Sequence, residues 1–168
     1  MRFGQVLQAK LDEYEQTQGQ AAAAAHISGS MVSKITRGSR KPPKDVMRSL
    51  TAHYDDPELA VAAANEVTGG AWIPWLNNVD LHPAAVAWKT REEVLEAYEA
   101  TGAAPLSKRR EQMTEADLKA IKAAIIESVE AITALVHHVA VLCKAYGFSW
   151  FGIWKEHRVK LKSSKYLK

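Results

Sequence analysis

Between Ser28 and Arg48 the chain carries six lysines and arginines against a single carboxylate, Asp45. Lys34, Arg37, Arg40, Lys41 and Lys44 all fall in that run, and the hydroxyls of Ser28, Ser30 and Ser33 lie just ahead of them or among them. Cations mixed with short hydrogen-bonding side chains suit contact with a polyanion. Ammonium and guanidinium groups neutralise phosphates, and a lysine can also reach guanine O6 or N7. A second basic run, 155–168, again holds six cations against one acid, Glu156, while most carboxylates lie in the middle of the chain. Two basic ends around a near-neutral middle point to polyanion contact more than the net charge of +3 does. The competing reading of the first run is a solvated basic face on a domain that binds protein.

Other chemistry is sparse, so no enzyme and no cofactor are expected. His137 and His138 are adjacent and would point to different sides of a helix. Cys143 sits on an apolar stripe, and no Cys-x-x-Cys or His-x-x-x-His spacing occurs, so no metal ligands are expected. There is no glycine-rich phosphate loop and no nucleophile elbow, so no catalytic residue is nominated. The one cysteine excludes an intrachain disulfide and fits a reducing cytoplasmic interior. The opening MRFGQVLQAKLDEYE alternates charged and apolar residues and reads as neither a signal nor a transit peptide. No uninterrupted apolar run approaches membrane-spanning length, so no membrane span is expected.

The elements that must position the basic set read as short helices. Phe3, Val6, Leu7, Lys10, Leu11 and Tyr14 fall at helical spacing, giving a first helix ending near Gln16. Thr17 can N-cap a second helix through Ala24, and Ser28 a third through about Thr36. The link around His26 is short, which makes the pair a helix-turn-helix. Gly38 is placed to end the third helix, and Pro42 and Pro43 stop any continuation. Lys44 to Tyr54 reads as a fourth helix. A fifth, capped by Asp55 or Asp56 with Pro57 in its first turn, runs to the break at Gly69-Gly70.

The stretch Thr17-Gln18, Ala22, Val32-Ser33-Lys34-Ile35, Arg37-Gly38 and Lys41-Pro42 resembles the Cro/C1-type (lambda-repressor-like, or Xre) helix-turn-helix family over roughly the first 65 residues. Three positions depart from the family pattern. Ala21 stands where leucine is usual, His26 where the turn usually holds glycine, and Thr36 where glutamate is common. The resemblance implies a five-helix DNA-binding domain and a double-stranded operator as partner. It places base contacts on Gln18, Gly29, Ser30, Met31, Ser33 and Lys34, with phosphate contacts near Thr17, Gln18 and Ser28 and on Arg37, Arg40, Lys41 and Lys44. Met31 could touch a thymine methyl or pack inward. The resemblance also implies repression by occupying a promoter, in a regulator of phage or mobile-element type working in a bacterial or phage-infected cell.

Beyond Gly70 the chain reads as all helix, giving an all-α fold. Residues 69–113 form a connector with a short helix from Pro83, broken at the Thr90-Arg91-Glu92-Glu93 capping box. Trp72, Trp75 and Trp88 read as packing residues between two units, or as an aromatic site. Lys108-Arg109-Arg110 is either solvated surface or a phosphate contact. Thr114 can cap a long helix to Tyr146, and Gly147 ends it. Its apolar residues Leu118, Ile121, Ile125, Val129, Ile132, Val136, Val139 and Cys143 recur about every 3.5 residues, the coiled-coil period. That stripe either packs within the chain or pairs with a second copy. Pairing is the reading taken here, because the helix is long and its apolar face broad, and the resemblance implies two domains on half-sites about 34 Å apart. A final helix follows Ser149. The expected organisation is a DNA-binding domain over 1–68, the connector, and a helical dimerisation domain over 114–168. Together these readings describe a dimeric DNA-binding repressor, whose inducer, protein or small molecule, the sequence does not name. An antitoxin or adaptor that grips another protein is the alternative, and a ligand sensor with a pocket near the three tryptophans is a third.

Overall fold

The computed structural model describes residues 2–168, and it is all-α: eight α-helices and one 3-10 turn, with no strand among the described residues. The helices are α1 (Phe3–Glu13), α2 (Gln18–Ala24), α3 (Gly29–Thr36), α4 (Lys44–Tyr54), α5 (Pro57–Thr68), α6 (Pro83–Ala103), α7 (Glu115–Tyr146) and α8 (Trp150–Ser163). They form two compact units, residues 1–76 with 147–168, and residues 77–146. These boundaries differ from those read from the sequence. The final helix joins the first unit, and α6 and α7 make the second.

In the first unit, Phe3, Val6, Leu7 and Leu11 of α1 are buried at helical spacing against Val32 and Ile35 of α3, Leu50 of α4 and Leu59 of α5. Burying each such side chain contributes about 1.5–3 kcal/mol. Gly4 lets α1 approach α3 closely. A Cβ there would run into the Ile35 carbonyl, lying 2.8 Å from its carbon and 3.3 Å from Thr36 Cα. A polar knot ties α1 to α5. Asp56 caps α5 by accepting from Leu59 N at 2.9 Å and accepts the Tyr14 hydroxyl at 3.0 Å. Buried Lys10 lies 2.7 Å from Glu13, 2.9 Å from Glu58 and 3.4 Å from Asp56. Burial alone would depress the Lys10 ammonium pKa. The Glu13 and Glu58 hydrogen bonds and the Asp56 charge override it and hold the pKa well above the usual lysine range. For the Tyr14 hydroxyl, burial acts in the opposite direction, and burial and then the Asp56 charge push its pKa up.

Helix α8 is tied to this unit at its start. Trp150 is buried, Ser149 caps the helix through Gly152 N at 2.9 Å, and Phe151 N donates to Asp55 Oδ1 at 2.8 Å. Beyond that first turn the helix is largely exposed and carries the basic run.

The second unit is an antiparallel helical hairpin. Thr90 of α6 donates to the Ala134 carbonyl of α7 at 3.3 Å, and Glu93 comes beside Glu127 and Glu130. The contact seam is made of small residues, with Ala97 and Ala100 on α6 half-buried and Ala124 and Ala131 on α7 buried. Small side chains let helix axes approach closely. Helix α6 is unbroken through Thr90, contrary to the capping box read there. The Thr90 hydroxyl bonds the Val86 carbonyl at 2.8 Å and faces the seam. The α7 cap is as read: Thr114 Oγ1 accepts from Asp117 N, and Asp117 accepts from Thr114 N. Lys108 adds an ion pair at 2.9 Å, which makes it part of this cap. The Lys108 hydrogen bond, followed by those from Thr114, holds the Asp117 carboxyl down at about 2.

The long apolar stripe of α7 divides along its length. Ile125, Val129 and Ile132 are 57%, 52% and 46% exposed, while Leu118, Ile121, Val136 and Val139 are half-buried. Cys143 is buried, so it does not belong to any surface open to a second chain. Ile125 and Ile132 follow the seam residues Ala124 and Ala131 by one position, about 100° around the helix. One face of α7 therefore packs on α6 and the next is open. Trp72 and Trp88 are exposed, and Trp75 is half-buried. Helix α7 also holds an 18-residue window of mean hydropathy 1.6, long and apolar enough by length and composition to cross a membrane. A search for uninterrupted apolar runs passes over it because polar residues break the sequence every few positions.

A Gly→Ala change inside a helix ordinarily stabilises it by about 1 kcal/mol. Gly4→Ala should do the opposite and destabilise by about 1–3 kcal/mol, because α3 must move away from α1. Urea denaturation checks this, and a stabilised variant would show that the approach of α1 to α3 is slack.

Candidate nucleic-acid interface

The basic set is positioned by helix caps and a left-handed turn. Thr17 and Gln20 form a reciprocal cap at the start of α2: Gln20 N donates to Thr17 Oγ1 at 3.2 Å, and Thr17 N donates to Gln20 Oε1 at 2.7 Å. Ser28 Oγ accepts from Met31 N at 3.2 Å and starts α3. Between them His26 adopts φ +52°, the left-handed conformation that glycine takes at lower cost. Ala21 and Ala22 are buried on α2, so its packing face is short-chained and α3 lies close.

These constraints fix which way α3 faces. Val32 and Ile35 are buried, and Met31 packs against the same core, so of the two readings of Met31 packing describes it. Ser30, Lys34 and Arg37 are exposed and follow the i, i+4, i+7 spacing of one helix face. Gly29 and Ser33 flank them, half-buried. Gln18 is also half-buried, and its amide nitrogen donates to Gln8 Oε1 and Thr36 Oγ1, both at 3.3 Å. It thereby joins α1, α2 and α3, an interior task that its assignment as a contact residue did not include. Thr36, one of the departures from the family pattern, is the group that receives it.

The loop after α3 is held by its backbone. Gly38 takes φ +73° and donates to the Ile35 carbonyl at 2.9 Å, and the amides of Ser39 and Arg40 both donate to the Lys34 carbonyl. The Ser39 hydroxyl adds a third bond to that oxygen at 3.0 Å. The Arg37 guanidinium lies back along α3, with Nε donating to the Ser33 carbonyl at 3.1 Å. Arg40, Lys41 and Lys44 are exposed. No ion pair engages Lys34, Arg37, Arg40, Lys41 or Lys44 among the described residues. All the nominated cations thus lie on α3, on the loop that follows it, or at the start of α4. Gly4, which sets the height of α3 over α1, was missed by sequence reasoning. Its signal was a glycine at an inward position inside a helical pattern.

For a metal ion, the residues that come together are Glu93, Glu127 and Glu130 in the hairpin, whose carboxylate oxygens lie within 4.8 Å of one another. Burial and the neighbouring Glu130, Glu96 and Glu93 push the Glu127 carboxyl up, while Lys89 pairs with Glu93 at 2.8 Å. Compared with family models, curated proteins and solved structures, the chain finds no match.

His26→Gly should stabilise the first unit by about 1 kcal/mol, since the left-handed conformation costs a side-chain-bearing residue about 1–2 kcal/mol. A thermal melt reads this as a rise of a few degrees. An unchanged or lower midpoint would mean that His26 is not strained in its turn.

Proposed function

We propose that the chain is a sequence-specific double-stranded DNA-binding regulator of the Cro/C1 helix-turn-helix kind, acting as a dimeric repressor. One observation carries the reading. Ser30, Lys34 and Arg37 form an exposed row on a helix whose other face is locked into the core, and the row continues into Arg40, Lys41 and Lys44 with no carboxylate partner among the described residues. In this reading α3 lies in the major groove. Lys34 reaches a base edge, and the loop cations neutralise phosphates on the flank. Gly29 supports it: a Cβ there would meet nothing within 4 Å, so the chain's own packing does not require a glycine, whereas close approach to a base edge would favour one. No step of this function calls on a cofactor or a catalytic residue.

Pairing supplies the second half-site. The open row of Ile125, Val129 and Ile132, beside the seam rather than in it, is the surface assigned to a second copy. Repression follows by occupying a promoter and excluding polymerase.

Selection of bound fragments from a random duplex pool, using the full chain, tests the reading. It should return a two-fold symmetric site. Lys34→Ala should weaken that site by about 1–3 kcal/mol, and non-specific duplex by less. Equal losses would make Lys34 a phosphate contact, and no retained fragment at low salt would overturn the DNA reading. Ile125→Glu with Ile132→Glu should turn a sedimenting dimer into a folded monomer. A dimer that survives the pair of charges would move the contact off this face of α7.

A further inference from the structure

The first unit contains a cavity of about 840 Å³ that the function above does not use. Its making is local. After α5, Asn65 Nδ2 donates to the Ile73 carbonyl at 2.7 Å, and buried Ile73 pins the following chain, so that Trp75 walls one side. The volume lies in the range of small-molecule sites, about 300–1,000 Å³. The lining is mixed: Val61 and Trp75 give apolar walls, while Arg2, Arg40 and Lys41 give three positive charges. One lining carboxylate, Glu66, accepts from Phe3 N at 3.3 Å. None of the three cations has an ion-pair partner among the described residues. Arg2 Nη1 lies 3.9 Å from where a Cβ on Gly38 would stand, so the guanidinium is beside the loop whose backbone is bonded to the Lys34 carbonyl. Two guanidinium groups and an ammonium around an apolar-walled hollow suit a carboxylate or phosphate on a flat ring.

We propose that this cavity is a binding site for a small organic anion, a ring bearing a carboxylate or phosphate, held by Arg2, Arg40 and Lys41 with its ring against Trp75. Arg40 and Lys41 also belong to the proposed DNA face, and on that reading the anion and the duplex draw on the same two charges. Each then lowers the affinity of the other by the same factor, which makes the anion an inducer.

Ligand-observed fluorine NMR on the full chain tests this, with 4-(trifluoromethyl)benzoate, 4-fluorophenyl phosphate and uncharged 4-(trifluoromethyl)benzamide as probes. One of the two anions should bind saturably with a dissociation constant at or below about 1 mM. Arg2→Gln and Arg40→Gln, both at exposed positions, should each weaken it about tenfold, the loss expected for one charge-assisted hydrogen bond. Whichever anion binds more tightly identifies the head group. Saturation by neither, equal binding of the benzamide, or unchanged binding by both variants would overturn the site. A second arm adds the tighter anion to a duplex titration. A fall in duplex affinity supports the coupling, and unchanged affinity removes it while leaving the site. A chain that holds the anion but no duplex would defeat the DNA reading alone.

Discussion

The carboxylate of Asp56, only 1% exposed, is the constraint on which the first unit depends. A buried carboxylate must be satisfied or it unfolds what surrounds it. Asp56 is satisfied by the Leu59 amide, the Tyr14 hydroxyl and the nearby Lys10 ammonium. Each partner fixes an element: the start of α5, the end of α1 and the register between them. Its neighbour Asp55, left-handed at φ +48°, ends α4 and receives the first turn of α8. One corner of two adjacent aspartates therefore joins α1, α4, α5 and α8. The support beneath α3 is set by that corner on one side and by the close approach at Gly4 on the other.

Much of this was legible in the residues. Caps are local chemistry, so Thr17, Ser28 and Thr114 could be placed from side-chain type and spacing, and the α5 cap narrowed to Asp55 or Asp56, of which Asp56 serves. The turn at His26 was legible from its position between two capped helices, and its positive φ is the cost of using a histidine there. What could not be read was anything decided between elements. Lys10 sits in the apolar pattern of α1, but nothing nearby in sequence names Asp56 and Glu58 as partners. Gln18 was given a contact role by the family resemblance, yet its amide nitrogen is used inside the chain. Thr90 looked like a cap because the capping-box spacing is present. The hydroxyl serves a helix seam instead, since tertiary contact overrides a local motif.

The hairpin shows how one helix serves two surfaces. Alanines at 124 and 131 let α7 lie close to α6, and the isoleucines that follow them face away from the seam. A pattern with a period near 3.5 residues states that an apolar face exists, but not how many partners share it. Burial separates them: the α6-facing seam is small-chained, the open row is bulky, and the end of the helix around Ala140 and Cys143 is buried. The proposed dimer rests on the middle of α7 for that reason.

The first compact unit is discontinuous in sequence, and this bears on how the protein is made. Its last contribution, Trp150 with the turn that meets Asp55, is encoded after the whole hairpin. A nascent chain adds roughly 5–20 residues per second and folds its leading segments first. On the ribosome, α1 to α5 therefore emerge well before α8, and the Asp55 carboxylate waits in water until the closing residues clear the exit tunnel. Emergence of α8, rather than synthesis of α1 to α5, is the event that completes that unit.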